Sequence, residues 1–266
     1  SNPGKDMGIT DVPNKILGDT LYFDATTIPY DADRELWAHN TRNSSTWQVT
    51  DFFSGRIGVY MDILVGDTLY FDATDGISGR EIWAHDTSNS STWQIADINT
   101  GENFSRPGEL VGSILVDDTI YFSANDGITG SELWAHNTSN FSTWQVADIR
   151  SGFFGSFIPS TSQRLPAFAL VDDTLFFSAS DGSGLELWAH NTSNLSTWLV
   201  RDINSANDGR DKTSSYPGDY SGLTVVESRV YFSATDYSHV FAPRTQLWVH
   251  EAKNGSTWQV VNPADD

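Results

Sequence analysis

Apolar and polar positions in this chain alternate over short runs with the period of a β-strand. In the segment Thr68–Ala73, Leu69, Phe71 and Ala73 point one way and Tyr70 and Asp72 the other. β-Branched and aromatic residues fill such runs, and Gly-Asp, Asp-Gly and Asn-Thr-Ser clusters bound them. Four runs recur in fixed order. In one unit they predict strands at Glu109–Val116, Thr119–Ala124, Glu132–His136 and Thr143–Ile149, here called A to D. The connections are short enough for an antiparallel meander. Large side chains stand on both faces: in strand C, Leu133 and Ala135 face one side and Trp134 the other. A sheet apolar on both faces has to be covered on both, and packing each sheet between two like neighbours achieves this.

The pattern is written five times. All ten tryptophans lie in copies of one block, such as EIWAHDTSNSSTWQIAD from Glu81 and ELWAHNTSNFSTWQVAD from Glu132. The pairs are Trp37 and Trp47, Trp83 and Trp93, Trp134 and Trp144, Trp188 and Trp198, Trp248 and Trp258. A fixed order of elements at a period near 50 residues marks a repeat architecture. The expectation is an all-β, five-bladed β-propeller with four antiparallel strands per blade. It would form a single domain over 1–266, with blades near 1–53, 54–101, 102–153, 154–206 and 207–266. The opening SNPGKD aligns with SRPGEL at Ser105 and SYPGDY at Ser215. That predicts a chain opening at a repeat boundary, with any targeting segment outside it.

The blocks DGISGREIW at Asp75, DGITGSELW at Asp126 and DGSGLELW at Asp181, each after YFSA or a near variant, resemble the ELWxxDGT-type repeat family. That family belongs to secreted and surface proteins, including those of marine prokaryotes. The resemblance runs over nearly the whole chain and departs where Asp-Gly-Thr would follow the tryptophan, since Ala-His-Asn-Thr-Ser-Asn stands there instead. The strand order is also similar to YWTD and NHL propellers. The resemblance implies fold and location but no catalytic activity.

Composition narrows the partners. The net charge of −20 disfavours nucleic acid and anionic membranes, which need phosphate neutralisation. No apolar run approaches the roughly 20 residues of a membrane span, and there is no cysteine. Eight Asn-x-Ser/Thr sequons occur, at Asn43, Asn89, Asn103, Asn137, Asn140, Asn191, Asn194 and Asn254, seven of them in the loop between strands C and D. An extracellular or cell-surface monomer is expected.

The units differ most in their D–A and B–C loops, expected to share one (top) face. The first tryptophans stand at 37, 83, 134, 188 and 248, so the spacing widens from 46 to 60. Most of the positive charge maps to these loops, beside aromatic residues. Arg34, Arg56, Arg80, Phe153, Phe154, Tyr216, Tyr220, Phe241 and Arg244 are the candidate ligand residues, guanidinium and ring together suiting an anionic glycan or an acidic protein segment. Loops plugged by their own aromatics are the plainer alternative. The ten tryptophans are assigned to packing between blades. Histidines 39, 85, 136, 190 and 250 are expected to hydrogen-bond within their blades and to lie too far apart to share a metal. The Asp-Gly-x-x-Gly-x-Glu segments fit tight turns, with calcium as the alternative and no other cofactor expected.

The expected function is therefore a non-catalytic binding or adhesion module for a surface glycan or protein. The alternatives are a structural spacer and, third, a polysaccharide hydrolase drawing on Asp11, Asp62, Glu109 or Asp219.

Overall fold

The computed structural model describes residues 15–26, 34–52, 58–157, 168–204, 214–219, 221–236 and 244–260. Among these there are twenty strands, no helix, and five sheets of four antiparallel strands each. The first sheet is Lys15–Leu17 (β1), Thr20–Thr26 (β2), Arg34–Asn40 (β3) and Thr46–Gln48 (β4). The second is Gly58–Val65 (β5), Thr68–Ala73 (β6), Glu81–Asp86 (β7) and Ser91–Ala96 (β8), and the third Ser113–Val116 (β9), Thr119–Asn125 (β10), Ser131–Asn137 (β11) and Thr143–Ala147 (β12). Phe168–Val171 (β13), Thr174–Ser180 (β14), Leu185–Asn191 (β15) and Thr197–Arg201 (β16) form the fourth. Leu223–Val226 (β17), Arg229–Asp236 (β18), Arg244–Glu251 (β19) and Ser256–Gln259 (β20) form the fifth. Strands neighbour one another in chain order within every sheet, which makes each a meander and the fold class an all-β, five-bladed β-propeller.

The chain divides into two compact units. One holds Ser1–Glu109, Ser113–Ile128 and Trp134–Trp144; the other holds Leu110–Gly112, Thr129–Leu133 and Gln145–Asp266.

Hairpin chemistry fixes the register. The first residue of every A–B turn is left-handed: Gly18, Gly66, Asp117, Asp172 and Glu227 have φ between 49° and 58°. Strand A of the third sheet starts at Ser113 rather than at the expected Glu109. Gly108 and Gly112 have φ of 73° and 72°, so Gly108–Gly112 coils through turns before the ladder begins.

Cores form where sheets face each other. In the first unit Tyr22, Leu36 and Ala38 pack on Leu69, Phe71, Ala73 and Trp83, and Tyr70, Ile82 and Ala84 on Ile120, Phe122 and Ala124. In the second unit Phe176, Leu187 and Ala189 pack on Val230, Phe232, Ala234 and Trp248. The strand-C alanines are small enough to admit the large residues of the adjoining sheet. Burying a ring such as Phe122 contributes about 1.5–3 kcal/mol.

The tryptophans grade from buried to exposed, and Trp37, Trp93, Trp134, Trp144 and Trp188 are half-buried. Trp83 and Trp248, on strand C, are buried, whereas Trp47, Trp198 and Trp258, on strand D, are 41%, 39% and 40% exposed. In each fully described C–D pair the outer tryptophan stands opposite the small or branched residue of strand C, as Trp47 does opposite Ala38 and Trp258 opposite Val249.

The histidines hold the C–D hairpins, as expected. Nδ1 of His39, His85, His136, His190 and His250 lies 2.7 to 2.9 Å from the hydroxyl of the threonine seven residues on. Rings of the adjoining sheet pack on three of them: Tyr22 on His85, Tyr70 on His136 and Phe176 on His250. Burial pushes His136 and His190 down to about 4, so both are neutral at physiological pH.

Candidate functional site

The B–C and D–A loops emerge at one end of each sheet. Their bases are built by backbone packed directly on backbone. A Cβ on Gly79 would stand 1.5 Å from the Asn103 carbonyl oxygen, and one on Gly130 would stand 2.3 Å from the Gly155 nitrogen. Only glycine lets the D–A loop lie on the B–C loop at these two points. The aspartates of the Asp-Gly segments close their own turns. Asp75 Oδ1 accepts from Ile77 N (2.9 Å), Ser78 N (2.8 Å) and Ser78 Oγ (3.0 Å). Burial pushes its carboxyl up, but these donors more than offset that and hold it below the usual carboxylate value. Asp126 and Asp181 accept from Ile128 N and Ser183 N in the same way. Turn closure thus accounts for the carboxylates considered for calcium, and no group of three or more His, Asp or Glu side chains is placed to hold a metal among the described residues.

Sequence reasoning missed the feature beneath these loops. The glutamate that opens strand C is buried in four sheets: Glu35, Glu81, Glu132 and Glu186 are 1%, 0%, 0% and 3% exposed. Each clasps the D–A loop that follows. Glu81 accepts from Ser105 Oγ (2.5 Å), Ser105 N (3.0 Å) and Ile98 N (2.8 Å). Glu132 takes Ser156 Oγ (2.6 Å) and Ile149 N (3.0 Å), and Glu186 takes Ser215 Oγ (2.6 Å), Ser215 N (3.1 Å) and Ile203 N (2.9 Å). The serine carbonyls then accept Asn125 N, Ser180 N and Thr235 N at the ends of the next strands B, so one serine ties two sheets together. Burial pushes Glu81, Glu132 and Glu186 up to about 7, against the lowering effect of their donors. In the fifth sheet Gln246 takes this place and bonds to Gln259. The recurrence of serine in SRPG and SYPG was the available signal.

On this rigid base, apolar and cationic side chains are displayed in each unit. In the first unit Phe104 is half exposed with the Arg106 guanidinium 5.9 Å from its ring centroid, and Ile77 and Ile128 are 78% and 75% exposed. In the second unit Phe153 and Phe154 are 71% and 77% exposed, with the Arg150 guanidinium 5.1 Å from the Phe154 centroid. Two adjacent phenylalanines in water with a guanidinium on one face form a platform for a planar or cyclic group bearing negative charge.

Of the residues anticipated as ligand contacts, Phe153, Phe154 and Tyr216 are exposed. Arg80 points inward: it forms an ion pair with buried Asp72, and its side chain is only 15% exposed. Arg56, Tyr220, Phe241 and the side chains of Arg34 and Arg244 lie outside the described residues. So do Asp11 and the side chain of Asp62, while Glu109 pairs with Arg106 at 3.5 Å.

Comparison with known proteins places the fold. No family model matches the chain, and no curated protein matches it. Solved structures do. Puromycin hydrolase is similar over 94% of this chain and 38% of its own, with 11% identity and a TM-score of 0.57. A structure from an analysis of two prolyl endopeptidases is similar over 91% of this chain and 33% of its own, with 12% identity and a TM-score of 0.51. The chain thus spans just over a third of the first of these proteins and a third of the second, and what they share with it is the propeller fold. The expectation of a non-catalytic module is corrected by these neighbours, whose own propellers belong to peptidases. The expectation failed because it rested on motifs inside the repeats, and those report only on the propeller.

Proposed function

We propose that this propeller is the recognition part of an extracellular or cell-surface protein, and that its B–C and D–A loops bind an anionic glycan. The observation that carries this reading is the Arg150–Phe153–Phe154 grouping: two exposed rings and a guanidinium on a backbone locked by Gly130 and Gly155. Rings stack on sugar faces, and the planar guanidinium takes a carboxylate or sulfate through paired hydrogen bonds. A molecule of net charge −20 gains nothing from bulk attraction to a polyanion, so binding has to come from this local cationic site. The resemblance of the repeats to ELWxxDGT-type surface proteins supports the same reading. A panel of sulfated and uronic-acid oligosaccharides, titrated at low and at marine salt, tests it. Saturable binding that falls about tenfold or more in Arg150→Glu, a loss of about 1.4 kcal/mol or more, is expected. An equal affinity in the variant removes the site from these loops.

A second reading follows from the solved structures: the propeller serves a longer hydrolase of peptides, and the same loops receive a peptide. Cleavage of short proline-containing or aminoacyl substrates by the protein as its gene encodes it would favour this reading. Absence of turnover across that panel would oppose it.

A further inference from the structure

The C–D hairpin tips carry seven sequons that the ligand loops do not use, and an eighth lies in a D–A loop. Their hydrogen bonds divide the eight. In four, the sequon is folded on itself. The hydroxyls of Ser45, Ser142, Ser196 and Ser256 donate to the side-chain carbonyls of Asn43, Asn140, Asn194 and Asn254 at 2.6 to 2.7 Å, and the serine backbone N–H donates to the same oxygen at 2.9 Å. The middle residues Ser44, Phe141, Leu195 and Gly255 are all left-handed, with φ of 59°, 60°, 62° and 70°, which brings the serine back towards the asparagine side chain. These four asparagines are exposed, and their Nδ2 groups donate no hydrogen bond among the described residues.

The other four are committed elsewhere. Ser139 and Ser193, the hydroxyl residues of the Asn137 and Asn191 sequons, donate to Asp118 and Asp173 at 2.7 Å, and the two asparagine amides point to Thr119 and Thr174. Ser105, which completes the Asn103 sequon, is buried in the Glu81 clasp. Asn89 shares the turn, with Ser90 at φ 60° and the Ser91 N–H donating to its Oδ1 at 2.9 Å, but its amide is held by Asp86 Oδ2 at 2.8 Å. A sequence scan cannot make this distinction, because Asn137 and Asn140 stand three residues apart with equally good motifs.

We infer that Asn43, Asn140, Asn194 and Asn254 are N-glycosylation sites of the folded protein, and that Asn89, Asn103, Asn137 and Asn191 are not. The donor is an oligosaccharide on a polyprenyl diphosphate. A bond forms between Nδ2 and sugar C1 as the C1–O bond to phosphate breaks. The bonding electrons leave with the diphosphate, and the amide proton passes to a base. The attached sugar would lie beside Phe141 and Leu195, which are 66% and 64% exposed at the middle position of two of these sequons. A cell-surface location is taken from the reading above, but the acceptor geometry is independent of the ligand loops. Failure of either leaves the other standing.

The test uses the folded protein, purified without glycans and incubated with an oligosaccharyltransferase and a polyprenyl-diphosphate oligosaccharide, followed by glycopeptide mapping. Freeing an asparagine amide, or a serine hydroxyl, that is bonded outside its own sequon costs enough to slow the committed sites about tenfold or more. Occupancy of Asn43, Asn140, Asn194 and Asn254 above the other four by that factor is expected, with the difference collapsing in denatured chain. Asn140→Gln should leave Asn137 bare. Filling of Asn137 in that variant would mean that its bareness came from competition, and overturns the inference. So would equal occupancy at Asn137 and Asn140 in the folded protein, or four bare tips.

Discussion

Ser105→Ala removes the hydroxyl held by Glu81 of the second sheet, on the residue whose carbonyl accepts Asn125 N at the end of strand B in the third. The residue is 1% exposed, and its Oγ lies 2.5 Å from Glu81 Oε2. The carboxyl keeps Ile98 N and Ser105 N, so the change subtracts one short hydroxyl–carboxylate bond and leaves the backbone clasp in place. Hydrogen bonds to charged partners contribute about 1.5–3 kcal/mol, neutral ones about 1. Because the Glu81 carboxyl titrates at about 7, the expected loss is about 2–3 kcal/mol at pH 9 and about 1 kcal/mol at pH 5. For a chain of this size 2 kcal/mol corresponds to a fall in Tm of roughly 4–8 °C. Thermal unfolding followed by tryptophan fluorescence at both pH values reads this. Ser139→Ala serves as the control, because its hydroxyl bonds an exposed carboxylate of Asp118 and its loss should stay within about 0.5 kcal/mol. If the two variants unfold together, or if the Ser105→Ala penalty does not grow with pH, the clasp is not an energetic link between sheets.

Further outcomes follow from the same structure. The raised carboxyls of Glu81, Glu132 and Glu186 keep protons in the folded state that the unfolded chain releases, so their contribution to stability is present near pH 4.5 and lost as pH rises through 7. The depressed His136 and His190 act in the opposite direction, contributing above pH 6.5 and losing that contribution as pH falls towards 4. Urea titrations should therefore show a weak pH dependence between pH 5 and 6.5, and Glu132→Gln should lose up to roughly 3 kcal/mol of the decline through pH 7. An unchanged profile in that variant would contradict the assignment. Gly130→Ala, which drives a Cβ into the Gly155 backbone at φ 78°, should cost about 2–4 kcal/mol, whereas Gly152→Ala, with open space around it, should cost about 1. Equal Tm values for the two would show that the loop bases are not in contact.

The strands were legible because both faces of each run are apolar and the turn residues are strict: strand B, strand C and the start of strand D fall within a residue or two of their expected limits. Strand A was read too long, because the apolar Leu110 and Val111 continue its pattern while Gly108 and Gly112 turn the backbone away. The exposed pair Phe153 and Phe154 was also legible, as an irregular insertion rich in rings. The inward turn of Arg80 was not, since its partner Asp72 lies within strand B and a strand pattern does not reveal which aspartate is buried. The glutamate clasps were hidden for a similar reason. The bonded serine is 24 residues away for Glu81 and Glu132 and 29 for Glu186, in loops of differing length that only the fold brings back to the same point.

The most direct test of the proposed recognition role is a calorimetric titration of a sulfated oligosaccharide into the wild-type protein and into Phe153→Ser/Phe154→Ser. Saturable binding by the wild type, weakened about tenfold or more in the variant with Tm unchanged, is the predicted result. Equal affinity in both proteins, or no binding to any polyanion by the wild type, would contradict it.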